Sequence, residues 1–85
     1  MYRVTYRRVA IRALSKVPAV MRNRIVDTVS RLAADPDRRD PDVRPLVGTE
    51  GFRLHVGKWR IVYHRDDEAK EILVVDLGPR GDVYR

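Results

Sequence analysis

Residues 52–63 decide the fold of this 85-residue chain, and they read FRLHVGKWRIVY. Apolar and polar side chains alternate on both sides of Gly57-Lys58, as they do in strands with one buried face. Glycine as the first of two central residues suits a tight hairpin turn, because its backbone adopts positive φ without strain. The stretch therefore predicts a β-hairpin with strands at 52–56 and 59–63.

The turn also predicts which side chains share a face of this hairpin. If Val56 pairs with Trp59, His55 lies opposite Arg60, and cross-strand partners share a face. One face is then apolar and packs on the core; it consists of Phe52, Leu54, Val56, Trp59, Ile61 and Tyr63. The other face collects Arg53, His55 and Arg60, with no acid on either strand to offset their charge. A register slip of one residue is disfavoured because it buries two arginines.

The segments around the hairpin predict two helices and further strands. The alternation of Tyr2 to Tyr6 is typical of a strand, whereas apolar spacing of three to four residues after it predicts two amphipathic helices. Pro18 ends the first helix and can begin the second. The remaining segments are a helix ending at Asp35-Pro36, a loop over 35–45, an edge strand over 44–47 and a buried strand over 72–77. The order β-α-α-β-β-β predicts one α+β domain over residues 1–85, with a helical hairpin packed on one face of an antiparallel sheet.

Charge favours an anionic partner. Lys and Arg number 18 against 12 Asp and Glu, which gives a net charge of +6 and a pI near 10.3. The first 24 residues contain no acid, so the positive charge is concentrated there and in the hairpin. Such clustering is typical of proteins that bind nucleic acid or acidic proteins, although a solvated basic surface has the same composition. The candidates for phosphate contacts are Arg8, Arg12, Lys16 and Lys58.

Composition also argues against several classes of site. The chain has no cysteine, which excludes disulfides and thiolate metal sites. Two histidines and scattered carboxylates do not predict a metal centre or a cofactor site. No apolar run reaches the roughly 20 residues that a membrane span needs, so we expect a cytoplasmic protein.

Two segments of the chain carry a resemblance to a known family. After Val56, residues 57–63 have the order glycine, any residue, aromatic residue, arginine, two apolar residues and tyrosine. Residues 77–85 continue with Gly78-Pro79-Arg80 and an acidic-Val-Tyr ending. With the Arg44-Pro45 approach to the second strand and the Arg-rich helices, the chain resembles the RelE/ParE toxin superfamily over nearly its whole length.

The resemblance implies a function and a set of site residues. RelE-like members are toxins of bacterial and archaeal toxin–antitoxin pairs that cut mRNA in the ribosomal A site without a metal, whereas ParE-like members poison DNA gyrase. Carried onto this sequence, the RelE-type catalytic residues are Arg53, His55, Arg60, Arg80 and Tyr84. The best-studied pattern has lysines at the positions of Arg53 and His55, which leaves the general base open between His55 and Tyr84.

The presence of the whole set favours the RelE branch. A ParE-like gyrase inhibitor and a non-catalytic basic binding module are the alternatives. The expected partners are an acidic, partly disordered antitoxin that folds on the toxin, together with the ribosome and mRNA. We expect a monomer when free and a hetero-oligomer with the antitoxin.

Overall fold

A computed structural model of the protein describes residues 1–38 and 42–79. Within these residues, two helices and five strands follow one another, which is the predicted order β-α-α-β-β-β with the edge strand counted as one strand more. They are β1 Arg3–Tyr6, α1 Arg8–Leu14, α2 Ala19–Ala34, β2 Asp42–Pro45, β3 Phe52–Val56, β4 Trp59–Asp66 and β5 Glu71–Pro79. No helix in the described part of the chain is long and apolar enough to cross a membrane.

The strands form one open sheet in the order β1-β5-β4-β3-β2. Successive strands from β2 to β5 pair antiparallel, as predicted, but β1 pairs with β5 in parallel, so the sheet is mixed. The two helices lie between β1 and the other strands in sequence and return the chain to the far edge, which lets β1 run beside the last strand. A parallel pair needs such a crossover, and α1 and α2 supply it.

The hairpin has the predicted register. Val56 pairs with Trp59, His55 with Arg60 and Leu54 with Ile61. Gly57 has φ of 58°, the conformation that the first residue of this turn requires. The register of this hairpin is therefore fixed by the turn and by the apolar alternation together.

Both helices pack on the face of the sheet that carries the alternating apolar residues. Leu54, Ile61 and Tyr63 are buried against Ile25 and Leu32 of α2 in one core cluster. The other core residues are Ala10, Val17, Val29, Ala33, Val56, Ile72, Val74 and Leu77. This arrangement confirms the predicted helical layer. The helix face is filled, so polar residues of opposite parity remain on the other side of the sheet.

Three details differ from the sequence prediction. The edge strand β2 begins at Asp42 rather than at 44. The second helix begins at Ala19, and Pro18 is its N-cap. The predicted amphipathic spacing of the first helix includes Val9, yet Val9 is 58% exposed, since this short helix buries only Ala10 fully.

Arg65 connects β4 to the end of α2 on the helix face. Its Nε donates to Asp67 at 2.8 Å, and its Nη1 donates to Asp37 at 3.1 Å and to the Pro36 carbonyl at 3.2 Å. The Tyr2 hydroxyl also donates to Asp67, at 2.9 Å. The hydrogen bond from Arg65 holds the pKa of Asp67 below its ordinary value. This network fastens the segment after α2 and the residue just before β1 to β4 and the turn that follows it.

The buried phenol of Tyr63 predicts a loss of stability at alkaline pH. The side chain is 2% exposed, and burial raises its pKa to about 12. An unfolded tyrosine ionises near pH 10, so this contribution is complete below that pH and is lost as the pH rises towards 12. We expect the parent to lose about 1.4 kcal/mol more than Tyr63→Phe between pH 8 and pH 11. Urea unfolding of both proteins at the two pH values measures the difference, and parallel losses would contradict it.

Candidate active site on the open sheet face

The face of the sheet opposite the helices presents two rows of side chains across strands β2 to β5. Strand pairing defines each row, because directly paired residues share a face. The first row runs Asp42, His55, Arg60, Gly78, and the second row runs Arg44, Arg53, Val62, Asp76. The predicted residues Arg53, His55 and Arg60 therefore meet on one surface, as the hairpin register required.

His55 and Arg60 form the centre of the first row. They are direct partners across the β3–β4 hairpin, so their Cβ atoms lie roughly 5 Å apart. The His55 side chain is only 10% exposed. Its Nε2 and the Nε of Arg60 are shielded from solvent and have no hydrogen-bond partner within the described residues. Buried polar atoms are normally paired, so these two atoms offer an acceptor and a donor to a ligand.

Asp42 is the site residue that sequence reasoning missed. Its Oδ2 lies 3.2 Å from His55 Nδ1, and its Oδ1 lies 3.7 Å from Arg44 Nε. The sequence predicts that Asp42 lies in a Pro- and Asp-rich loop, and the two hairpin strands themselves contain no acid. The acid comes from the neighbouring edge strand, where Asp42 pairs with His55. Asp42 could have been identified by adding the predicted edge strand to the hairpin, because this strand pairs with β3.

Gly78 leaves the β5 end of the first row open. It pairs with Arg60, and among the described residues a Cβ atom built at Gly78 meets nothing within 4 Å. No side chain at this position therefore covers Arg60. Two of the predicted catalytic residues, Arg80 and Tyr84, lie outside the described residues.

The residues predicted to contact RNA lie apart from these rows. Arg8, Arg12 and Lys16 are exposed on or just after α1, and Lys58 is exposed in the hairpin turn. Arg12 and Lys16 border a groove of about 370 Å³ between α1 and the ends of β4 and β5, together with Val9, Ala13, Trp59, Leu77, Gly78 and Pro79. Because α1 packs on the helix face, Arg8, Arg12 and Lys16 form a second positive surface, which meets the first row at Gly78.

The open face has the groups needed to bind an anion and to move a proton. Arg53 and Arg60 supply guanidinium groups that can donate to phosphate oxygens, and His55 can accept a proton. Among residues 1–38 and 42–79, no group of three His, Asp or Glu side chains is placed to hold a metal ion. The groups present on this face are one carboxylate, one imidazole and guanidinium groups from the adjacent strands β2, β3 and β4.

Comparisons with known proteins agree with this architecture. Residues 4–84 match the family model of the ParE toxin of type II toxin–antitoxin systems. The fold is similar to RelE in the RelE–RelB complex of Pyrococcus horikoshii OT3, with a TM-score of 0.82 and 30% identity over 94% of this chain and 96% of that one. A search of curated proteins finds no significant match.

Two further solved structures share the fold. The RelBE2 toxin–antitoxin complex of Mycobacterium tuberculosis gives a TM-score of 0.80 and 26% identity, over 93% of this chain and 98% of that one. The isolated RelE toxin of E. coli gives a TM-score of 0.77 and 17% identity, over 93% of this chain and 84% of that one. The match to the family model over nearly the whole chain, together with the archaeal relative, shows that this protein belongs to the RelE/ParE superfamily of toxins from type II toxin–antitoxin systems.

Proposed function

We propose that this toxin is a RelE-type endoribonuclease that cleaves mRNA in the ribosomal A site and so inhibits translation. The observation that carries the proposal is the pairing of His55 with Arg60 across the hairpin, on an open face that also holds Arg53. A proton acceptor beside two phosphate-binding cations suits RNA cleavage by the RNA's own 2′-hydroxyl. A gyrase inhibitor, which acts by binding, has no need of that combination.

The reaction can be written from these groups without a metal. His55 Nε2 takes the proton of the 2′-hydroxyl, and the 2′-oxygen attacks the adjacent phosphorus as the bond from phosphorus to the 5′-oxygen breaks. The leaving 5′-oxygen takes up one proton, from Tyr84 or from water, so the products are a 2′,3′-cyclic phosphate and a 5′-hydroxyl. A positioned acid or base contributes roughly 10²–10⁴ to the rate, and Arg60 and Arg53 stabilise the negative charge that develops on the phosphate oxygens.

Arg80 and Tyr84 complete the proposed site by resemblance to the RelE pattern. In that assignment Arg80 adds a third cation to the phosphate, and Tyr84 is the alternative base or the acid for the leaving oxygen. Because an ordinary tyrosine has a pKa near 10, histidine is the better base at neutral pH. His55 Nε2 is shielded in this structure, so RNA binding has to uncover it. Catalytic hydrogen bonds commonly form only in the substrate complex.

The second positive surface, on α1, gives the toxin a further means of binding RNA. We assign Arg8, Arg12 and Lys16, with Lys58 of the turn, to contacts with phosphates of ribosomal RNA or of the message. Such contacts release counterions, so binding weakens as the salt concentration rises. Cleavage and ribosome binding can therefore be separated, because they depend on different faces of the protein.

We also propose a cognate antitoxin as partner. RelE relatives from Pyrococcus horikoshii and Mycobacterium tuberculosis form complexes with antitoxins. A net charge of +6 is complementary to an acidic chain, which would fold on the toxin as it binds. With the ribosome and mRNA as targets, the toxin acts in the cytoplasm, as a monomer when free and in a hetero-oligomer when neutralised.

Inhibition of DNA gyrase is the second candidate function, because the family model that matches is that of the ParE toxins. One experiment separates the two. Expression of the toxin is induced, RNA 5′ ends are mapped, and the purified protein is added to a gyrase supercoiling assay. The proposal expects new 5′ ends within codons of translated mRNA and unaffected supercoiling. Inhibited supercoiling with intact mRNA supports the ParE activity instead, and RNA binding without either effect supports a non-catalytic module.

A further inference from the structure

The contact between Asp42 and His55 assigns a role to a residue outside the predicted site. Asp42 lies on the edge strand β2 and is the direct pairing partner of His55 on β3. Its Oδ2 lies 3.2 Å from His55 Nδ1, the carboxylate is half exposed, and the imidazole is nine-tenths buried. A buried ring held by a carboxylate at one nitrogen has a fixed orientation.

Hydrogen-bonding chemistry then determines where the ring proton lies. An ionised carboxylate only accepts hydrogen bonds, so the nitrogen facing it has to carry the hydrogen. A neutral imidazole has one N–H, which places the lone pair of His55 on Nε2. Nε2 is the nitrogen without a partner in the described part of the chain, so its lone pair is not consumed by another contact.

We infer that Asp42 is a positioning residue that holds His55 in the Nδ1–H tautomer and so presents Nε2 as the proton acceptor. The inference rests on the proposed function for its catalytic part. The carboxylate also offsets the charge of the imidazolium that forms when Nε2 accepts a proton. Without it, that imidazolium faces Arg60 and the neighbouring guanidinium groups of the second row. Asp42 therefore acts through His55 and does not itself touch RNA.

The tautomer can be measured without RNA. The chain has two histidines, so ¹⁵N labelling of their rings and two-bond ¹H–¹⁵N correlation give a simple spectrum. We expect His55 of the parent in the Nδ1–H form. In Asp42→Ala we expect the Nε2–H form that histidine favours in water, with His64 unchanged. Asp42→Asn keeps the shape of the side chain, and its amide can donate to Nδ1, so it is expected to populate the Nε2–H form too. The isosteric variant provides the test if the alanine variant fails to fold.

Cleavage of ribosome-bound mRNA by the same variants tests the catalytic consequence. Both Asp42 variants are expected to cleave about 10- to 100-fold more slowly than the parent. Asp27→Ala is the matched control, because it removes one exposed carboxylate from an ion pair with Arg31 on α2 and leaves the sheet intact. It should change neither the tautomer nor the rate.

The two measurements distinguish failure of this inference from failure of the proposed function. An unchanged His55 tautomer in both Asp42 variants overturns the positioning role, and so does parental cleavage by both variants. A parent that does not cleave mRNA overturns the proposed function and the catalytic part of the inference with it. In that case the tautomer still decides whether Asp42 fixes the ring.

Discussion

Replacement of Arg60 by alanine is expected to lower the rate of mRNA cleavage by about 10²- to 10³-fold, the usual cost of losing one group that stabilises transition-state charge. Arg60 is the direct neighbour of His55 in the first row, and in the described part of the chain Gly78 places no side chain over it. A guanidinium can donate two parallel hydrogen bonds to phosphate oxygens, a geometry that a lysine ammonium does not reproduce. Single-turnover cleavage of mRNA in a programmed ribosome complex measures the effect.

Two further variants separate the role of Arg60 from its charge. Arg60→Lys keeps the charge but loses the planar fork, so we expect it to recover only part of the rate. Arg3→Ala is the matched control, because Arg3 is 75% exposed on the far edge strand of the same sheet and its removal lowers the net charge equally. Arg3→Ala should cleave at the parental rate. Equal cleavage rates for Arg3→Ala and Arg60→Ala would remove Arg60 from the site. If both variants cleave more slowly than the parent by the same factor, the loss of net charge explains the effect.

Replacement of Ile61 by alanine is expected to destabilise the protein by about 3 kcal/mol, which is a large share of the stability of a domain of this size. Ile61 is 0% exposed at the middle of the sheet, where it pairs with Leu54 on one side and Leu77 on the other. Its truncation leaves a cavity between the sheet and the helices. Urea unfolding measures the loss, and the midpoint of thermal unfolding should fall by about 12 °C or more.

The neighbouring residue provides a control within the same strand. Val62 points to the open face and is only partly buried, so Val62→Ala is expected to cost about 1 kcal/mol or less. The large difference between adjacent positions follows from the alternation of faces along β4. Similar losses at both positions would contradict the face assignment on which the site depends.

The hairpin and its two faces could be predicted because they depend on local signals. The turn at Gly57 and the apolar alternation set the register, and the register alone placed Arg53, His55 and Arg60 together. Asp42 could not be found in this way, since its neighbourhood of prolines and aspartates is typical of a loop. Only pairing with a distant strand brings its carboxylate to His55.

Two features of the fold were hidden for the same reason. The parallel pairing of β1 with β5 follows from how far the two helices carry the chain, which no local pattern records. Arg65 lies on the helix face by the alternation of β4, where a charge is unexpected. It is accommodated because Asp37, Asp67 and the Pro36 carbonyl converge on it from the end of α2 and the next turn. Both the parallel strand pair and the position of Arg65 depend on contacts between distant residues, which local sequence patterns do not predict.

We propose that the open sheet face cleaves mRNA on the ribosome. The most direct measurement is primer extension on a defined mRNA held in a purified ribosome complex with an empty A site, after addition of the toxin or of Arg60→Ala. We expect a new 5′ end within the A-site codon for the parent, little product for Arg60→Ala and intact mRNA when ribosomes are omitted. Cleavage by the open sheet face would be contradicted if the mRNA stays intact in the ribosome complex with the folded parent protein. Equal cleavage by the parent and by Arg60→Ala would contradict it too.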